Sequence, residues 1–320
     1  MLKAKTAAKR VILGIEPREI SVDIRGFRPV NAAAAGRLEV IGRAFVHGYD
    51  CALVARDADD VVASLSLVAT ELLGFAYEGA AMATTLLDQL SLRRSTRWAD
   101  LLEAGGEPHI YMLHVGAGWA FARLPRGTRR LEAHLASSDP LLGWLAVDGY
   151  GFHHGFFGST RALAGWRPRF TRPYGARAFD QGLGRSLWFV EGTGTEGVAR
   201  RIASFDRDRR SDLWSGLGLA CAYAGIASAA QLERLGTLAG ADLPHLRQGV
   251  AFAAAARARA GNVAEHTEQT CQVLCGRSAA ELADLTEDVR NDLGAAPTSH
   301  DYERWRQKLA SHVATSRVLF

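Results

Sequence analysis

Two histidines and an aspartate lie close together in the segment 147–158, which reads VDGYGFHHGFFG. The three residues are Asp148, His153 and His154. An imidazole titrates near neutral pH and a nearby carboxylate can fix its tautomer, so the group suits proton transfer. Adjacent residues point to different faces of a helix or a strand, so we expect at most one histidine to enter a given pocket.

The same segment carries four aromatic residues that could bind an apolar substrate: Tyr150, Phe152, Phe156 and Phe157. The alternative interpretation is structural. The glycines would permit a turn, one histidine would cap the backbone, and the phenylalanines would lie in the core.

A second segment, 174–192, reads YGARAFDQGLGRSLWFVEG and contains several charged residues. Arg185 could bind a carboxylate or a phosphate through two parallel hydrogen bonds, with Trp188 and Glu191 as further candidate substrate-binding residues. Equally, Arg185 could form a buried ion pair with Asp180 or Glu191 that fixes the fold. The sequence leaves both interpretations open.

Other polar residues are weaker candidates. Glu71 and Glu78 are seven residues apart in a helical stretch that also contains Tyr77, so the two carboxylates would share one face. Carboxylate pairs form metal sites in helical bundles, but the supporting Glu-x-x-His pattern is absent, so we predict no metal site and favour a structural role. His109 and His114 flank an apolar run and are interpreted as histidines at the edge of the core.

One glycine motif raises an alternative fold. Gly192, Gly194 and Gly197 form G-x-G-x-x-G directly after SLWFV, a possible strand, which is the arrangement that binds the pyrophosphate of a dinucleotide. The motif lies in the second half of the chain, however, and the regular alternation of strands and helices that a parallel sheet needs is missing. We therefore predict no cofactor and keep the α/β fold as the alternative.

The predicted fold is predominantly all-α, with stacked helical hairpins. Four glycine motifs recur along the chain, namely VGAG at 115–118, DGYG at 148–151, EGTG at 191–194 and SGLG at 215–218. Tryptophans precede three of them, at Trp144, Trp188 and Trp214. Such recurrence is typical of helical repeats, in which small residues allow helices to approach closely and the tryptophans fill the layer between repeats.

The predicted elements follow from periodicity and capping signals. Residues 1–30 are predicted to form a basic arm, and residues 31–320 a single helical-repeat domain. Asn31 can cap a helix that continues beyond Gly48, and the stretch 57–92 reads as one long helix or a pair. Later helices are predicted near 131–136, 227–239, 245–260, 263–274 and 279–293, and from 302 to the end of the chain, where Trp305 and Leu309 share a face.

Composition limits the class of protein. The chain has 320 residues, of which 48% are hydrophobic, so it can bury a substantial core. Its four cysteines are too few and too scattered for a disulfide framework, and no stretch approaches the roughly 20 apolar residues of a membrane span. No signal-peptide core follows the basic N-terminus, so we expect a cytoplasmic, soluble protein.

Positive charge is concentrated between Arg161 and Arg210, where eleven arginines face five carboxylates although the whole chain carries only +4. This stretch could bind an acidic partner, or it could be a solvated arginine-rich face. Nucleic acid is the weaker functional option because no nucleic-acid-binding motif accompanies the charge.

The segments 147–158 and 174–192 resemble the signature segments of the UnbL-type proteins, a family of unknown function encoded beside enediyne polyketide synthases. The overall length and the glycine and alanine content agree with that family. The resemblance implies a role in early assembly of the enediyne core, where a linear polyene becomes a cyclic product, and it supplies no catalytic residues that can be carried over.

Two hypotheses follow. In the first, the protein acts on a hydrophobic polyene intermediate without a redox cofactor, by isomerisation, cyclisation or related acid–base chemistry. In the second, it is a non-catalytic helical-repeat scaffold that docks the polyketide synthase, its acyl carrier domain or other proteins of the cassette. A homo-oligomer is compatible with either hypothesis. Because both hypotheses remain open, the sequence does not decide whether the protein is an enzyme.

Overall fold

The computed structural model describes residues 13–92, 95–157, 160–295 and 297–314, and within them the chain forms helices and no β-strand. In chain order the α-helices are α1 (Val22–Arg25), α2 (Ala32–Val54), α3 (Ala58–Leu65), α4 (Leu73–Leu90), α5 (Arg97–Leu101), α6 (Ile110–Ala122), α7 (Gly127–Leu135), α8 (Trp144–Phe156), α9 (Thr160–Leu163), α10 (Gly175–Val190), α11 (Thr195–Ala203), α12 (Arg207–Ala224), α13 (Ala229–Ala239), α14 (Leu243–Arg259), α15 (Glu265–Cys275), α16 (Ala279–Asn291) and α17 (Asp301–Ala314). The prediction of a predominantly all-α fold is confirmed. None of these helices is long and apolar enough to cross a membrane.

Helix boundaries follow capping signals in the sequence. The Asn31 side chain accepts a hydrogen bond from the Ala34 amide at 2.8 Å, so α2 begins where it is predicted to begin. Asp57 caps α3 in the same way, and the stretch 57–92 forms the pair α3 and α4 rather than one long helix. Capping boxes begin α13 and α16.

The even-numbered helices from α2 to α14 pack side by side in chain order, with the shorter odd-numbered helices between them. At each crossing a glycine faces a main-chain carbonyl of the neighbouring helix. A Cβ atom on Gly182 would lie 1.7 Å from the Asp148 carbonyl oxygen, and one on Gly218 would lie 1.9 Å from that of Leu246. Only glycine allows helices to approach this closely.

The crossing glycines form a regular repeat of 33 or 34 residues, as Gly116, Gly149, Gly182 and Gly216 show. The VGAG, DGYG and SGLG motifs lie at crossings, so their interpretation as packing motifs is confirmed. The interpretation of EGTG at 191–194 as a fourth such motif is wrong. EGTG forms the turn between α10 and α11, where Gly192 has a φ of 54°, and QGLG at 181–184 lies at the crossing instead.

The α/β alternative is also wrong. Residues 186–190, the possible strand before the G-x-G-x-x-G motif, are the last residues of α10. Gly192 ends that helix, Gly194 precedes α11 and Gly197 lies within α11. The strand on which a dinucleotide loop depends is therefore a helix in this protein.

The row of helices closes on itself. Arg257, near the end of α14, donates a hydrogen bond to the Glu71 carbonyl just before α4, at 2.8 Å. Phe75 of α4 packs edge-on against Tyr223 of α12, with the ring centroids 5.2 Å apart. These contacts bring α12 and α14 against the start of α4, so residues far apart in the sequence meet in a common interior.

Candidate functional site

The residue that precedes the first crossing glycine of each repeat lies buried in this interior, and most of these residues are polar. From α4 to α14 they are Glu78, Val115, Asp148, Gln181, Ser215 and Gln248. Each is at most 3% exposed. Burying a polar side chain without a hydrogen-bond partner costs free energy. The polar side chains at these equivalent positions of the repeat therefore need partners within the interior.

Arg185 connects two of these residues, Asp148 and Glu78. It lies one helical turn after Gln181 on α10 and donates a hydrogen bond from Nη1 to Asp148 Oδ1. Its Nη2 lies 4.0 Å from Glu78 Oε1, and Gln181 Nε2 donates to Asp148 Oδ2 at 2.9 Å. We call Glu78, Asp148 and Arg185 the buried charge cluster. It contains two carboxylates and one guanidinium.

Within this cluster, burial raises the pKa of Glu78 from 4.5 to about 7. Burial is the largest cause, Arg185 opposes it, and Asp148 adds to it. One guanidinium can neutralise only one carboxylate, and Asp148 holds the closer contact. Glu78 therefore exchanges a proton near neutral pH, which is what a general acid or base requires.

In the sequence, Glu78 is a weaker candidate because it is predicted to share a helix face with Glu71. The structure separates the two. Glu71 lies in the 3-10 turn Thr70–Leu72, is partly exposed and forms an ion pair with Arg37 at 2.7 Å. The motif EGAA at 78–81 could have identified Glu78, because its glycine, Gly79, lies at a crossing like those of the longer motifs.

An apolar cavity of about 50 Å³ lies against the buried charge cluster, and we call it the aromatic cavity. Phe152, Phe156 and Phe157, three of the predicted substrate-binding residues, line it, whereas Tyr150 does not. Further walls come from α2, α4, α6 and α10 and include Phe45, Phe75, Trp119 and Phe189. Among the described residues, the charged members of the wall are Glu78 and Arg185.

The segment 13–30 forms the outer wall of the aromatic cavity. Ile15 and Ile20 line it directly. Arg25 donates a hydrogen bond to the Phe156 carbonyl at 2.9 Å, and its guanidinium lies 4.6 Å from the centroid of the Phe157 ring. Residues 13–30 of the predicted arm are thus packed on the site. Residues 1–12 lie outside the described residues. The boundary between arm and domain at residue 30 stays a prediction.

Asp148 does not contact the two histidines beside it in the sequence. The His153 ring packs on Trp119 and Phe157, with centroid distances of 5.7 and 4.7 Å. The His154 ring packs on Tyr150 at 4.7 Å, and its Nε2 is buried without a hydrogen-bond partner in the described part of the chain. Burial lowers the pKa of both imidazoles, that of His153 well below 6.5, so both rings are neutral at neutral pH.

Substituting these histidines tests their predicted catalytic role. We expect His153→Gln and His154→Gln to lower the free energy of unfolding by about 1 to 3 kcal/mol, because each change removes ring packing and places an amide in an apolar site. We expect turnover to change little, because neither ring lines the aromatic cavity. Turnover and melting temperature, measured on the same preparations, separate the two roles. A loss of turnover of about 100-fold without loss of stability would confirm the catalytic prediction instead.

Two further candidates have structural partners. Trp188 is fully buried and donates from Nε1 to the Gly225 carbonyl at 3.1 Å. Glu191 binds Arg201 at 2.9 Å. Neither residue lines the aromatic cavity. Because they do not line the cavity, they could affect substrate binding only indirectly, by holding α10 in place.

The arginine-rich stretch is partly neutralised within the fold. Asp180 is fully buried between Arg209 and Arg167, the latter at 2.9 Å, so it is not a partner of Arg185. Counting only partners in the described ranges, five of the eleven arginines form ion pairs with carboxylates: Arg167, Arg177, Arg185, Arg201 and Arg209. Less positive charge is therefore left for an acidic partner, and the docking of a carrier domain stays a prediction.

His109 and His114 lie inside the fold rather than at its edge, 5% and 2% exposed. Burial lowers their pKa values to about 4 and about 3. The His109 ring stacks on Tyr77 at 4.4 Å, and the His114 ring packs on Trp98 at 5.1 Å. Both are neutral core residues at physiological pH, away from the buried charge cluster.

The fold and the site together define an all-helical repeat protein with charges buried beside an aromatic cavity. A family model described as "Protein of unknown function (DUF1702)" matches residues 4–313, nearly the whole chain. The chain belongs to this family. Searches of curated proteins and of solved structures found no match.

Proposed function

We propose that this protein is an acid–base catalyst that moves a proton on a hydrophobic, unsaturated substrate held in the aromatic cavity. The observation that carries the proposal is the position of Glu78. It is a fully buried carboxyl group with a pKa of about 7, on a wall that is otherwise mainly aromatic and aliphatic. Such surroundings suit a conjugated hydrocarbon chain and keep bulk water from the reacting atoms.

The reaction class is isomerisation, with no electrons gained or lost overall. The Glu78 carboxylate takes a proton from a saturated carbon beside the conjugated chain, and the electron pair of the broken C–H bond enters the π system. The carboxylic acid then returns the proton at another carbon, which shifts the double bonds. The step needs no oxidant, reductant or second substrate.

The size of the cavity bears on how a substrate enters. A volume of about 50 Å³ holds only a few water molecules, whereas ligand pockets commonly measure some 300 to 1,000 Å³. Ile15 and Ile20 of the segment 13–30 form its outer wall. A polyene therefore enters by displacing this segment from the body of the protein.

The resemblance to UnbL-type proteins supports the proposal that the natural substrate is a polyene of the enediyne pathway. Deleting the gene in a producing strain and identifying the accumulated compound by mass spectrometry tests this part of the proposal. Accumulation of a linear polyene supports it. Normal product titre would remove the protein from the pathway.

Deuterium uptake tests the chemistry directly. When the purified protein and a linear polyene are incubated in D₂O, we expect deuterium at the carbon that receives the returned proton, because a buried carboxyl group exchanges with solvent between turnovers. Mass spectrometry measures the label, and ultraviolet absorbance follows the change in conjugation. Absence of both changes across several polyenes would refute acid–base catalysis and leave the scaffold hypothesis.

A further inference from the structure

The wall of the aromatic cavity carries three polar atoms that have no hydrogen-bond partner within the described part of the chain. They are Glu78 Oε1, Trp119 Nε1 and Arg185 Nε. All three side chains are more than nine-tenths buried, being 3%, 4% and 5% exposed. Two of the atoms are N–H donors, and the third is a carboxyl oxygen.

Unpartnered buried donors are rare in folded proteins because each loses its hydrogen bonds to water on folding. A pure hydrocarbon in the cavity would leave Arg185 Nε unpaired and the Trp119 Nε1–H with only its weak contact to the Glu78 carboxyl. The Trp119 N–H acts on the Glu78 carboxyl as a weak hydrogen-bond donor, which opposes the rise in the pKa of Glu78, although the two groups do not reach normal hydrogen-bond geometry. Because Arg185 Nη2 also lies 4.0 Å from Glu78 Oε1, both donors border the group that would move the proton.

We propose that the substrate carries a carbonyl group conjugated with its unsaturated chain, and that Trp119 and Arg185 bind the carbonyl oxygen through these two N–H groups. The chain lies against Phe152 and the other rings of the aromatic cavity. This inference rests on the proposed function, which it deepens by naming the class of substrate: a neutral, conjugated enone, enal or thioester.

Charge decides between a neutral carbonyl and a carboxylate. Asp148 already holds the guanidinium of Arg185, and its second oxygen accepts from Gln181. A carboxylate on the substrate would thus add a buried negative charge beside Glu78 with no cation left to balance it. A neutral carbonyl has two lone pairs, one for each donor, and adds no charge.

The carbonyl also gives the proton transfer a place for its electrons. When Glu78 removes a proton from the carbon at the far end of the conjugated system, the C–H electron pair moves through the double bonds to the oxygen and forms a dienolate. The two N–H groups stabilise the developing negative charge on that oxygen. Return of the proton to the carbon next to the carbonyl restores the C=O bond and leaves the double bond shifted.

Three small probes that share one conjugated diene test the inference without turnover. They are hepta-3,5-dien-2-one (heptadienone), hepta-2,4-diene (heptadiene), in which a methylene group replaces the carbonyl, and sorbate, in which a carboxylate replaces the acetyl group. We expect heptadienone to bind the wild-type protein about tenfold more tightly than heptadiene, since each added hydrogen bond contributes a factor of a few. We also expect the infrared C=O stretch of the bound dienone to fall in frequency.

The variant Trp119→Phe removes one donor and keeps an aromatic ring, so the preference for the dienone should fall several-fold. Trp144→Phe is the matched control, because Trp144 is equally buried at 3% but donates to Ser299, and it should keep the preference. Equal binding of dienone and diene, tighter binding of sorbate, or an unchanged preference in Trp119→Phe would each overturn the inference. Deuterium uptake is measured separately, so carbonyl binding without proton transfer would count against the proposed function alone.

Discussion

The variant Glu78→Gln is expected to lower the rate of deuterium uptake about 100-fold or more, because glutamine has nearly the same shape but cannot accept or donate the transferred proton. In the wild-type protein we expect the rate to rise as the pH passes through about 7, where Glu78 loses its proton and can act as a base. Glu78→Gln should lack this rise. A variant with full activity would exclude Glu78 from the mechanism.

The same variant should also remove the pH dependence of stability that Glu78 causes in the wild-type protein. The pKa of Glu78 is 4.5 unfolded and about 7 folded, so the folded state keeps its proton over a range in which the unfolded state loses it. Stability is therefore lost as the pH rises from 4.5 to about 7, by on the order of 3 kcal/mol. Urea denaturation at about pH 5 and about pH 8 measures this loss, which should be absent in Glu78→Gln. A pH-independent difference between the proteins would contradict the raised pKa.

Glu71→Gln is the matched control for both measurements. It makes the same chemical change at a partly exposed carboxylate whose partner is Arg37, outside the aromatic cavity. We expect activity to be unchanged and stability to fall by at most about 1 kcal/mol, as for an exposed ion pair. Loss of turnover in both variants would indicate that carboxylate removal acts through the fold rather than through the site.

The second large effect is expected at a helix crossing. Gly218→Ala places a methyl group 1.9 Å from the Leu246 carbonyl oxygen, so α12 and α14 must move apart along their whole contact. We expect the free energy of unfolding to fall by about 3 kcal/mol or more, or the protein to fail to fold, because the obstacle is main chain and cannot rotate away. Chemical denaturation or soluble yield measures the effect.

Gly36→Ala provides the comparison. Gly36 is an exposed residue within α2, and nothing lies within 4 Å of the position of an added Cβ atom. Alanine should stabilise the protein here by about 0.5 to 1 kcal/mol, since it restricts the unfolded chain and favours the helix. If the two substitutions had similar effects, the crossing glycines would not set the helix spacing.

The sequence contains enough information to predict the helices, because their signals are local. Asn31 and Asp57 cap the helices that follow them, and Trp305 and Leu309 share the buried face of α17. The sequence also contains the period of the repeat. Aligning DGYG with QGLG, 33 residues later, gives a regular period that the choice of EGTG hides.

Helical geometry alone argues against one predicted contact. Residues five apart on an α-helix differ in direction by about 140°, so Asp148 and His153 cannot point the same way once the segment is helical. Gln181 and Arg185, four apart, share a face of α10. The partner of Asp148 therefore had to come from another helix.

What the sequence by itself determined is the local structure: helices, their caps, and glycines spaced to let helices approach. Only the tertiary structure decided which buried charges meet. Arg185 reaches Asp148 in the preceding repeat and Glu78, 107 residues earlier, because the row of helices closes on itself. Burial then changes what these groups do, since a carboxyl group that would be ionised in water keeps its proton near neutral pH when one guanidinium must serve two carboxylates. That competition depends on distances across the interior, which no local pattern of residues contains.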